Sequence, residues 1–161
     1  MFKAFKPLAV LLLTLIFTIP ALAGTLNCKV IKISDGDTIR CLDNHNKQHR
    51  IRFAGIDAPE SKQAFGQKSK QALAGMIFQQ QVQIDIKGTD RYGREIGVVY
   101  FNGQDINRRM VEIGYAWSYQ RYPQKDYAKV EMAARKQKLG LWKDPHPIYP
   151  ENYRHLFKGN H

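Results

Sequence analysis

Arg52, Asp57 and Glu60 fall within the short stretch IRFAGIDAPE, residues 51–60. A guanidinium matches phosphate oxygens in bidentate fashion and stays charged. A carboxylate is a ligand for hard cations, and a second carboxylate can hold an attacking water as a general base. Together these are the groups that phosphate-ester chemistry needs. Two further positions extend the set. Asp37 ends the turn Ser34-Asp35-Gly36-Asp37, and Arg94 closes the loop GTDRYGR, which also carries Arg91 and Tyr92. Asp37 and Asp57, with a backbone carbonyl and water, would make an all-oxygen site suited to calcium or magnesium rather than zinc. Arg52 and Arg94 would clamp a phosphate and stabilise charge developing on phosphorus. Each residue also has a plainer reading. Asp35 and Asp37 build turns, Glu60 suits a helix start, and the arginines suit a solvated basic surface.

The elements that must position these groups follow from periodicity. Thr25 to Ile33 alternates as a strand, and Thr38 to Leu42 returns after the turn at Ser34–Asp37. A second polar turn, Asp43 to Lys47, leads into a third strand, Gln48 to Ile56, which Pro59 cannot prolong. Helical spacing then takes over near 67 to 78, with Ala72, Leu73, Met76 and Ile77 on one face. Gln81 to Lys87 and Glu95 to Phe101 are two further strands. Ile106, Met110 and Ile113 mark a short helix ended by Gly114. A third helix is expected from about Gln124 to Leu139. The tail beyond Trp142 contains Pro145, Pro147 and Pro150 and is expected to lie on the surface without regular structure. The fold class is mainly β with α: a five-stranded barrel of the OB type with three helices.

Residues 1–23 have the form of a signal peptide. Lys3 and Lys6 precede an apolar run from Leu8 to Ile19, and Ala21-Leu22-Ala23 is a cleavage motif. The expected organisation is a leader over 1–23, one domain over 24–142, and a tail over 143–161. Export to the periplasm or beyond the cell is expected, with no stable membrane association after cleavage. The formal net charge of +11 suggests a polyanionic partner: nucleic acid, anionic lipid or a cell-wall polymer. No protein partner is implied. Cys28 and Cys41 are the only two cysteines. They flank the first turn, so a cross-strand disulfide is expected in an oxidising compartment, contributing about 3 kcal/mol on the chain-entropy account. Two small buried hydrophobes are the alternative. The five histidines are read as lying in turns or the tail, without metal-ligand spacing. No G-x-S-x-G, P-loop or H-E-x-x-H occurs. Trp117, Tyr119 and Tyr122 cluster around Arg121, a composition that suits base stacking or packing of core and rim.

The ordered set Ser34-Asp35-Gly36-Asp37-Thr38, IRFAGIDAPE, Asp90-Arg91-Tyr92-Gly93-Arg94 and Gly140-Leu141-Trp142 resembles the staphylococcal nuclease (thermonuclease) family over nearly all of residues 25–142. The resemblance implies an OB-type barrel with three helices and a Ca²⁺-dependent phosphodiesterase acting on DNA and RNA, leaving 3′-phosphates. It implies that Asp37, Asp57 and the carbonyl of Ala58 bind calcium. It implies that Arg52, Arg94 and Glu60 are catalytic and that Tyr92 contacts substrate. Arg91, Tyr119 and Arg121 are added here as substrate-binding candidates. The chain departs from the family in having alanine at 58, where threonine is familiar, and in a shorter loop after Pro59. Two other classes compete: a non-catalytic nucleic-acid-binding module on the same fold, and a protein that binds an anionic envelope. The retained charges at 37, 52, 57, 60 and 94 favour the enzyme.

Overall fold

A computed structural model describes residues 24–122, 124 and 126–157; the leader expected over 1–23 lies outside them. The first strand, β1 (Thr25–Ile33), buries Cys28, Val30 and Ile33. It pairs antiparallel with β2 (Thr38–Asp43), which pairs antiparallel with β3 (Gln48–Phe53). On its other edge β1 takes β5 (Gln81–Thr89), and β5 takes β6 (Glu95–Phe101). A parallel pairing of β3 with β6, from Ile51↔Glu95 to Phe53↔Gly97, closes the five strands into a barrel. Its interior is filled by side chains, Val30, Ile39, Ile51, Phe53, Ile84 and Val99 among them.

The third strand is shorter than expected. β3 stops at Phe53, the chain turns through Ala54 and Gly55, and Ile56–Asp57 form a separate two-residue strand, β4. Gly55 has φ of +72°, and a Cβ there would lie 2.3 Å from Gln124 Cγ, so only glycine makes this turn without displacement. β4 pairs with β8 (Trp117–Ser118). A short β7 (Gln104–Asp105) extends the sheet beside β6.

The first helix, α1 (Gly66–Ile77), buries Leu73 and Ile77 against the barrel. α2 (Ile106–Glu112) is capped by Asp105, whose side chain accepts from the Arg108 amide. Asn107 of α2 is fully buried. Its Nδ2 donates to the carbonyls of Ala54 and Gly97, and its Oδ1 accepts from the Val99 amide. α3 (Tyr127–Lys136) is shorter than expected; Lys138 adopts φ of +53° and ends the run. A second cluster, Trp117, Ala134, Leu141 and Trp142, packs beneath it.

Among the described residues the tail is not irregular throughout, and the α-helices number four rather than three. After a 3₁₀ turn at Gly140–Lys143, the chain forms α4 (Pro150–Leu156). Pro150 stands at the first helical position, where its fixed φ is preorganised and its missing N–H costs nothing. Tyr149 anchors this end by an edge-to-face contact with Trp117, centroids 6.0 Å apart. His49 also differs from expectation. It lies in β3 rather than a turn, and its ring bridges Asp43 and Glu95 at 3.1 and 2.8 Å. Cys28 and Cys41 are joined by a disulfide, with Cα atoms 5.6 Å apart.

Candidate active site

The turn before β2 and the turn after β3 meet at one mouth of the barrel. The Phe53 amide donates to the Asp37 carbonyl at 2.8 Å, tying the two segments together. Gly36 makes this approach possible, since a Cβ there would lie 2.8 Å from Ala58 Cβ and closer still to Ser69 Oγ. Asp37 and Asp57 are only 5% and 1% exposed. Asp37 Oδ2 accepts from the Ala58 amide at 2.7 Å, and its Oδ1 accepts from Thr38 Oγ1 at 3.0 Å. Arg52 bridges the pair: its Nη2 lies 3.2 Å from Asp37 Oδ2 and 3.1 Å from Asp57 Oδ1. Its Nη1 donates to the Phe53 carbonyl at 2.8 Å, which fixes the plane of the guanidinium.

Glu60 follows on the same segment, its amide held by Gln63 Oε1 at 3.1 Å. Arg94 comes from the opposite wall, the β5–β6 hairpin. Asp90 organises that hairpin, accepting from the amides of Tyr92 and Arg94 and from Arg94 Nε at 2.7 Å. Arg91 lies over the Tyr92 ring, which is exposed. Tyr119 and Tyr122 form a tilted pair with centroids 5.8 Å apart, and Arg121 is paired with Glu151. Trp117 is instead buried against Trp142, a packing residue. One open cavity of about 1390 Å³ is lined by Asp37, Arg52, Asp57, Ala58, Glu60, Arg91, Tyr92, Arg94, Tyr119 and Arg121. The structure thus brings all ten candidate site positions to one place.

Two residues beside them were missed from sequence. Asp35 lines the same cavity, and its burial and the adjacent Asp37 push its carboxyl up to about 7. Arg154, from α4, reaches across to Asp57 Oδ2 at 2.9 Å and Glu60 Oε1 at 2.6 Å. No local spacing signals this contact, because the residues are 97 and 94 positions apart.

The donor chemistry fits a hard divalent ion. Two buried carboxylates point at a single nitrogen of Arg52, and the side-chain donors are oxygen. Burial pushes the Asp57 carboxyl above the usual range despite the Arg154 hydrogen bonds, and Asp37 adds to the rise. Among the described residues no group of three or more His, Cys, Asp or Glu side chains forms a metal cage, so any ion here would complete its shell with carbonyl and water.

The sequence pattern described as "Staphylococcal nuclease homologue" matches residues 50–144. A protein of Haemophilus influenzae named "Uncharacterized endonuclease" is 46% identical over 134 residues, covering 83% of this chain and 75% of its own. The "Micrococcal nuclease" of Shigella flexneri is 44% identical over 156 residues, covering 89% and 88%. "Protein ParB" of Escherichia coli is 40% identical over 158 residues, covering 91% and 88%.

Proposed function

We propose, from the premise that this chain belongs to the staphylococcal nuclease family, that it is an exported, calcium-dependent nuclease hydrolysing phosphodiester bonds of DNA and RNA. One observation carries the reading: two buried aspartates share a single guanidinium, with Glu60 on the same segment and Arg94 on the facing wall of one cavity. Asp37, Asp57 and the Ala58 carbonyl would hold calcium, which when bound supplies positive charge against the phosphoryl oxygens. Glu60 holds a water and takes its proton as that water attacks phosphorus in line. Arg52 and Arg94 donate forked hydrogen bonds where charge develops on the phosphoryl oxygens. Both are preoriented, Arg52 by the Phe53 carbonyl and Arg94 by Asp90. The bond to the 5′ oxygen breaks and that oxygen takes a proton from solvent in the open cavity, leaving a 3′-phosphate and a 5′-hydroxyl.

Other features support a polymeric substrate. The cavity is larger than the ~300–1,000 Å³ of small-molecule pockets, and its rim offers Arg91, Tyr92, Tyr119, Arg121 and Tyr122. Successive bases can stack on such tyrosines while the cations follow the backbone. The leader-like residues 1–23 support export, and among the described residues no helix is long and apolar enough to cross a membrane.

The test is digestion of plasmid DNA and of RNA in calcium and in chelator. Cleavage in calcium, its loss in chelator, and weaker activity in magnesium are expected, because magnesium demands a stricter octahedron. Full turnover in metal-free buffer would sink the calcium assignment. Tight binding with no cleavage under any condition would favour a binding module.

A further inference from the structure

The guanidinium of Arg154 spans two carboxylates at once. Nη2 donates to Asp57 Oδ2 at 2.9 Å, and Nη1 donates to Glu60 Oε1 at 2.6 Å and approaches Asp57 Oδ1 at 3.3 Å. Arg52 Nη2 also takes Asp57 Oδ1, at 3.1 Å. Three N–H contacts therefore take up most of the acceptor capacity of Asp57, and one takes Glu60 Oε1. A hard ion on Asp57 needs a carboxylate oxygen at ~2.3–2.6 Å with its lone pair aimed at the ion. An N–H donor and a divalent ion cannot share that lone pair, and two cations at such separation repel. Glu60 likewise faces the arginine here rather than a water.

Resting on the reading of the site given above, we propose that Arg154 is a third phosphate-contacting cation of this nuclease. It holds Asp57 and Glu60 while no ion is seated, and it exchanges them for the phosphodiester when the ion arrives. The exchange conserves pairing: the ion takes the carboxylates, and the anionic substrate takes the displaced guanidinium. Arg154 is suited to it. Its side chain is 41% exposed, so leaving the carboxylates uncovers little apolar surface. It sits in the last turn of α4, whereas Tyr149 and the buried Pro150 fix the opposite end. The guanidinium can therefore swing while the helix start stays docked. It also lines the same cavity as Arg52 and Arg94, and its flat fork matches two phosphate oxygens as it now matches two carboxylates.

Two titrations on the whole protein test this, comparing wild type with Arg154→Gln. The first is calorimetric titration with calcium chloride alone. Arg154→Gln should bind calcium about tenfold more tightly, because the resident competitor is gone. The second is titration, in saturating calcium, with a single-stranded oligonucleotide whose bridging 5′ oxygens are replaced by methylene, which cannot be hydrolysed. Here Arg154→Gln should bind about tenfold more weakly. A merely structural role would not tighten one ligand while loosening the other. Lys29→Gln removes the same charge from an exposed position on β1 outside the cavity and should move both constants by less than about twofold. Arg154→Lys keeps the charge without the fork and should fall between wild type and Arg154→Gln in both. Equal calcium affinity in wild type and Arg154→Gln overturns the inference, as does unchanged oligonucleotide affinity in calcium. If neither protein binds calcium, the ion assignment itself falls and takes this inference with it.

Discussion

At the residue scale, the arginines of the cavity are not equivalent. Arg94 is locked by Asp90 through its Nε and its own amide, and its side chain is only 24% exposed. Arg121 is 64% exposed on the rim and faces Glu151. The first is built to present a fixed fork and the second to supply general attraction. Arg94→Lys keeps the charge but loses the planar fork, so turnover should fall by ~10²–10³ while substrate affinity changes little. Arg121→Ala should weaken binding and flatten its salt dependence, with turnover at saturation nearly unchanged. Turnover rates and dissociation constants on one single-stranded substrate at two salt concentrations check both; a wild-type rate for Arg94→Lys would return Arg94 to the solvated basic loop. The residues of the barrel mouth were legible because turn chemistry and charge coincide in short runs: Asp37 after Gly36, Arg52 and Asp57 around Gly55. Arg154 was not, since one arginine in a proline-containing tail carries no mark of its partners.

At the element scale, the five strands announced themselves through alternation, and the helix between the third and fourth through a change of period. What escaped was the break within residues 48–57. Ile51, Phe53 and Ile56 are all buried, so their apolarity reads as one strand, and only the left-handed Gly55 separates β3 from β4. α4 escaped because prolines signal irregularity, whereas Pro150 here begins a helix. The break at Gly55 is held from behind by Asn107, which satisfies the Ala54 and Gly97 carbonyls and the Val99 amide. Asn107→Ala should take this partner from the buried Ala54 carbonyl and Val99 amide, while the Gly97 carbonyl keeps the Ala54 amide, costing roughly 2–4 kcal/mol of unfolding free energy. Urea denaturation should show a lower midpoint with an unchanged slope. An unaltered midpoint would mean that the turn stands without this brace.

At the scale of the whole molecule, the disulfide and the His49 bridge tie the barrel together away from the site. Asp43 accepts from His49 and from the amides of Lys47 and His45, and these hydrogen bonds hold its carboxyl down at about 2, against an ordinary 3.8. A carboxyl depressed on folding contributes stability above its unfolded value and loses it as pH falls through the folded one. Asp43→Asn should therefore lower the melting temperature at neutral pH and shrink the loss of stability between about pH 4 and pH 2. Thermal melts across that window decide it, and an acid limb identical to wild type would contradict the bridge. The net charge of +11 draws polyanions to the whole surface, but hydrolysis is assigned to one cavity and one base. The most direct measurement is the single-turnover cleavage rate of a labelled single-stranded oligonucleotide by Glu60→Gln in saturating calcium, beside its dissociation constant. Glu60 is accessible at the cavity, its side chain 38% exposed, so the substitution should leave the fold intact. The rate should fall by ~10²–10⁴ with the dissociation constant within a few-fold of wild type. Cleavage at the wild-type rate would contradict the account, placing the chemistry on other residues.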